Sequence, residues 1–113
     1  MWVYDLAMKV NGNFEVPDEA IAQLCRKWKI TEFALFGSVL QEDFRPDSDV
    51  DVLVTFEEGA PWSLWDMVHL GEELEAIFGR KVDVAERPAV EQSENYIRRR
   101  SILNSARTFY VAR

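Results

Sequence analysis

The stretch Asp49-Val50-Asp51-Val52-Leu53-Val54-Thr55-Phe56 constrains this chain more than any other. Its β-branched and apolar content predicts a strand. Successive strand side chains point to opposite faces, so Asp49 and Asp51 share one face and Val50 and Val52 the other. Arg80–Ala85 (RKVDVA) reads as another strand, with Asp83 facing away from Val82 and Val84. If the two strands are neighbours, all three carboxylates converge on one patch. Like charges so close raise each other's pKa unless a cation offsets them. Hard oxygen ligands in this arrangement suit Mg²⁺, which takes carboxylates together with substrate phosphates. Two such ions about 3.5–4 Å apart can clamp both oxygens of a phosphoryl transfer. Asp49 alone also reads as the last polar residue before burial, and Asp83 alone as a polar position in a short exposed strand; the set of three is what points to chemistry.

The rest of the chain supplies the elements around these strands. Residues 1–16 read as an N-terminal extension or as a small hairpin about Asn11-Gly12. Pro17-Asp18-Glu19 opens a helix over about 17–29, with Ile21, Leu24, Cys25 and Trp28 at helical spacing. Ile30–Phe36 is a strand that stops at Gly37-Ser38, and 39–44 suggests one or two helical turns. Ser63 can cap the next helix, with Asp66 as its reciprocal partner. Leu64, Met67, Val68, Gly71, Leu74, Ile77 and Phe78 line one side of that helix, which ends at Gly79. Pro88 breaks the chain, and a final helix is expected from Glu91 to about Phe109. Residues 17–113 therefore predict one α+β domain, a small mixed sheet with helices packed against it.

Composition narrows the function classes. A chain of 113 residues allows one domain with a real core. Cys25 is the single cysteine, which leaves no internal disulfide framework and suits a reducing cytoplasm. No apolar run approaches the roughly 20 residues of a membrane helix, and Met1–Asp5 does not read as a signal peptide. The net charge of −7 disfavours general binding to nucleic-acid backbone. Residues 1–86 hold 7 basic and 18 acidic side chains, whereas 87–113 hold 6 and 2. A basic tail on an acidic body is either a solvated helix or a surface for phosphate or an acidic partner.

Gly37-Ser38 is a common turn by itself, yet it also lets backbone approach a ligand closely and offers donors to phosphate. Ten residues separate Ser38 from Asp49, and Asp51 follows. That spacing, with its flanks LFGSVLQEDFRPDSDVDVLVTFE, resembles the signature of the DNA polymerase β-like nucleotidyltransferase superfamily in its minimal, stand-alone branch. The likeness runs from about Pro17 through Asp83 to the closing YIRRRSILNSARTFYVAR. It implies the palm-like fold of that superfamily. It further implies that Gly37 and Ser38 hold a nucleotide triphosphate, and that Asp49 and Asp51 bind two Mg²⁺ ions. Asp83 would assist a metal and the acceptor hydroxyl. The implied reaction is AMP transfer from ATP with release of pyrophosphate. Minimal-branch proteins often pair with a HEPN-domain toxin and act as its antitoxin by modifying a tyrosine. Two other outcomes stay open: an antitoxin that neutralises by contact alone, and transfer to a small molecule. Self-association is open as well.

The likeness has departures. Many relatives carry Arg where Gln41 stands here, and Arg45 or Arg80 are the candidates to replace that cation near the triphosphate. His69 and the tryptophans Trp28, Trp62 and Trp65 read as surface, core or interface rather than as ligands. Arg98-Arg99-Arg100 spreads around a helix, so one at least faces away from any single site.

Overall fold

The computed structural model describes residues 8–11, 14–40 and 48–112. In chain order its elements are β1 (Met8–Asn11), β2 (Phe14–Val16), α1 (Asp18–Lys27), β3 (Ile30–Phe36), a 3-10 turn (Gly37–Leu40), β4 (Val50–Phe56), α2 (Leu64–Phe78), β5 (Val82–Glu86), α3 (Arg87–Glu91), α4 (Tyr96–Ser105) and β6 (Arg107–Val111). β1 and β2 pair antiparallel as a separate ribbon. The other strands form one mixed sheet in the order β5-β4-β3-β6. β4 runs parallel to β5 and antiparallel to β3, and β3 is antiparallel to β6.

Alternation along β4 sorts the sheet into two faces. Val50, Val52 and Val54 point to the face where Phe33 and Leu35 of β3 are buried under α1 and α2. Ile21, Leu24, Cys25 and Trp28 form the inward stripe of α1, as their spacing predicts. Burial pushes the Cys25 thiol up to about 12, outweighing the opposing pull of Arg26, so this thiol stays protonated and unreactive. The opposite face buries Ala34, Phe36 and Leu53 beneath Ile102 of α4, with Val90 of α3 at its margin. Helices thus cover both faces of a mixed sheet, and each face closes a core.

The expected cap of α2 forms. Asp66 N–H donates to Ser63 Oγ at 3.3 Å, and Ser63 N–H donates to Asp66 Oδ2 at 2.8 Å. The Ser63 N–H and the Ser63 hydroxyl, which also donates to Asp66 Oδ2 at 2.9 Å, hold this carboxyl below the usual carboxylate range. The helix ends at Gly79, whose φ of 72° is left-handed. The predicted apolar stripe needs correction, however. Leu70 and Leu74 are fully buried, while Leu64 and Val68 are exposed. The inward stripe runs instead through Met67, Leu70, Leu74, Ile77 and Phe78, a spacing of three and four residues.

The predicted final helix over Glu91–Phe109 is also corrected. Pro88 lies in the first turn of α3 rather than breaking the chain, where its missing N–H costs nothing. Asn95 then starts a new helix by accepting from Arg98 N–H at 3.1 Å. At Ala106 the backbone turns extended, and Arg107–Val111 joins the sheet as β6 beside β3. The Thr-Phe-Tyr-Val run is strand-forming by composition. An unpaired edge of β3, remote in sequence, decides its conformation.

Candidate active site

The sheet register assembles the carboxylates. Asp51 of β4 stands opposite Asp83 of β5, with Val50 opposite Val82. Neighbouring strands lie about 4.8 Å apart, so Asp51 and Asp83 sit side by side on one face. Asp49 directly precedes β4, where Val50 N–H donates to the Lys81 carbonyl at 2.9 Å and fixes that end of the strand pair. Asp51 is half-buried. Burial raises its carboxyl above the usual 3.8; the charges of Asp83 and Asp49 raise it further, and Arg98 works against them. Asp51 therefore feels both other acids, as the alternation of the two strands predicts.

Gly37-Ser38 meets the same place from the other side. Phe36, the last residue of β3, stands opposite Asp51. The chain then turns at Gly37 with φ +78°, and a Cβ at this position would overlap the Asp51 carboxylate. The left-handed backbone favours glycine, and any side chain here would have to displace the Asp51 carboxylate. Ser38 follows on the exposed side of the turn. Gly37, Ser38, Asp49, Asp51 and Asp83 thus gather at one end of β3, β4 and β5. Arg45 and Gln41 lie outside the described residues, and the expectation about Arg45 stays with them. Arg80 is half-buried between α2 and β5.

Among the described residues no group of three or more carboxylate, histidine or cysteine side chains forms a ready-made metal cage. The donor chemistry nevertheless fits Mg²⁺, which asks a protein for one or two carboxylates and takes the remaining oxygens from water and phosphates. The crowded negative charge at Asp51 is the imbalance such an ion would relieve. Arg98 is the residue that spacing alone did not single out from its neighbours. It lies one turn before Ile102, whose side chain is anchored against Leu53 and Ala34, and this places its charge toward Asp51. The signal was the i, i+4 relation between Arg98 and an apolar residue on the covered face. His69 is exposed on α2. Trp28 and Trp62 pack together with ring centroids 4.9 Å apart, and Trp62 Nε1–H donates to the Trp28 carbonyl at 2.7 Å. Trp65 stands exposed.

A model described as "Nucleotidyltransferase domain" matches residues 18–107. The protein adenylyltransferase MntA of Thermococcus cleftensis is 42% identical over 62 residues, which cover 55% of this chain and 61% of that relative. This chain thus spans about three-fifths of the length of that curated relative. A solved structure assigned as a minimal nucleotidyltransferase is 33% identical, with a TM-score of 0.61 over 80% of this chain and 86% of the other. A toxin–antitoxin solved with AMP-PNP shares the fold at 17% identity, with a TM-score of 0.65 over 87% of this chain and 76% of that one. By the extent of the family match, and with the acids and the Gly-Ser turn standing at one end of its sheet, this chain belongs to the nucleotidyltransferase domain family.

Proposed function

We propose that this protein transfers AMP from ATP to a hydroxyl, a tyrosine, of a HEPN-type toxin and thereby acts as its antitoxin. The observation that carries this reading is the side-by-side register of Asp51 and Asp83, with Gly37 pressed against the Asp51 carboxylate. Relatives named protein adenylyltransferase and a fold neighbour solved as a toxin–antitoxin support it.

The mechanism follows from the placement of the groups. Gly37 and Ser38 hold the outer phosphates of ATP by backbone and hydroxyl donors. Asp49 and Asp51 would hold two Mg²⁺ ions, with Asp83 as a further ligand. When bound, those ions neutralise the triphosphate and the charge that develops at the leaving oxygen. The acceptor oxygen forms a bond to the α-phosphorus while the bond from that phosphorus to the α,β-bridging oxygen breaks. Pyrophosphate leaves with the electron pair. The acceptor's proton passes to the Asp83 carboxylate, the most exposed of the three acids. Protein work here is positioning and charge compensation, with no covalent enzyme intermediate.

The test is neutralisation in cells that express the toxin. Asp49→Asn with Asp51→Asn is expected to abolish protection while the complex with the toxin still forms. Full protection by that variant would overturn catalysis and favour neutralisation by contact. Chelation of Mg²⁺ is expected to stop label transfer from α-labelled ATP in the purified system.

A further inference from the structure

Past Asp83, the outermost strand β5 has no strand partner on its outer side among the described residues. A cavity of about 500 Å³ opens there. Its floor is Val84 and Ala85 of β5, and its walls include Leu64 of α2, Val90 of α3, and Arg98 and Ile102 of α4. The two helices that wall it carry most of the exposed apolar surface. Six large apolar side chains stand well exposed among the described residues, and five of them, Leu64, Trp65, Val68, Tyr96 and Ile97, lie in the N-terminal parts of α2 and α4, with Leu64 lining the cavity itself. Leu64 is 81% exposed and Ile97 78%. Clustered exposed apolar groups with a polar surround mark interaction sites rather than ordinary surface.

Charge is distributed in the same direction. Arg98, Arg99 and Arg100 follow Ile97 directly on an otherwise acidic protein. Arg99 donates to the Ser93 carbonyl and Arg100 to the Tyr96 hydroxyl, and neither is paired with a carboxylate among the described residues. Arg98 and Arg99 line the groove beside one acid, Glu86, and this net positive, apolar lining on an acidic body selects an acidic, apolar ligand. Its continuity with Asp83 adds a direction: a segment lying along β5 reaches the acids at one end of the groove.

We propose that the open edge of β5, walled by the opening turns of α2 and α4, docks an extended segment of the acceptor protein with apolar anchors and acidic flanks, and so delivers its hydroxyl to Asp83. Pairing of an extended segment with a free sheet edge gives affinity through backbone bonds, while the apolar rim and the arginines give specificity. This inference rests on the transfer reading for its purpose, but the docking is measured separately.

The probe is the proposed acceptor, a HEPN-type toxin, titrated against the full chain by calorimetry. Leu64→Asp, at the wall of the cavity, is expected to weaken the complex at least tenfold, as loss of an anchor does. Arg98→Glu is expected to weaken it and to flatten its salt dependence. Val111→Asp, an exposed apolar position on the far edge strand β6, is expected to bind within about twofold of the unaltered chain, taking surface substitutions as near neutral. Hydrogen exchange on the unaltered chain, which needs no variant, is expected to show Val84–Glu86 amides protected by the partner. Groove variants that bind like Val111→Asp, protection elsewhere with β5 unprotected, or no complex with the unaltered chain would overturn the groove. AMP transfer is scored in the same mixtures. A complex that breaks at the groove variants yet transfers no AMP keeps the groove and overturns the transfer reading. Transfer that persists in the groove variants with unchanged affinity overturns the groove alone.

Discussion

A Cβ added at Gly37 would meet the Asp51 carboxylate and push it from its place. Gly37→Ala adds a Cβ where the backbone is left-handed, at a strain of about 1–2 kcal/mol, and it also displaces Asp51. Transfer is expected to fall at least 100-fold, since misplacement by about 1 Å at a reacting centre costs that much. Thermal melts and initial rates check both effects. Asp51 itself carries a cost to stability. Its carboxyl titrates above 3.8 because of burial, Asp83 and Asp49, so the fold favours its protonated form. The repulsion is absent below the unfolded pKa and grows as pH rises through the raised folded pKa. In Mg²⁺-free buffer Asp51→Asn is therefore expected to melt roughly 2–5 °C higher at neutral pH, under about 1 kcal/mol for a domain of this size. The partial exposure of Asp51 keeps the effect that small. The gain is expected to shrink as pH falls toward 4, while transfer is lost at every pH. A melting point unchanged at pH 7 would contradict the crowding.

At the scale of elements, α4 holds the acid face through Ile102, which is buried against Ala34, Phe36 and Leu53. Ile102→Ala is expected to cost about 2–4 kcal/mol, the range for a large buried aliphatic side chain. It is also expected to loosen Arg98 beside Asp51, so denaturant unfolding should show the loss of stability and nucleotide titration a weaker affinity. This element also shows where sequence pattern stops being informative. β4 and β5 were legible because Asp and Val alternate with a period of two, and their shared face was predictable without any partner being known. α2 was legible at its ends, through Ser63, Asp66 and Gly79, but its stripe was misread. Leu64 and Val68 are apolar without facing the core, and apolar surface for a partner follows the same spacing as apolar surface for burial. β6 was hidden because Ala106, Phe109 and Tyr110 also fit a helical spacing. Only the free edge of β3, some 75 residues earlier in the chain, turns Arg107–Val111 into a strand. Sequence likeness to the family carried the roles of the site residues; alternation of side chains carried their convergence.

Across the whole molecule, the sheet divides labour between its faces. One face buries α1 and α2 and supplies the larger core. The other carries a smaller core under α3 and α4 and leaves its end open to the three acids. The basic tail meets the acidic body at this face, where α4 sets the charge of Arg98 against Asp51. A catalytic account requires that this arrangement move AMP, and only the acceptor's mass reports that directly. Intact-mass spectrometry of the proposed acceptor, a HEPN-type toxin, after incubation with this chain, ATP and Mg²⁺, is the most direct test. The account predicts a gain of one or more AMP units that is absent with Asp49→Asn/Asp51→Asn. An unchanged mass, with the complex still forming, would contradict it.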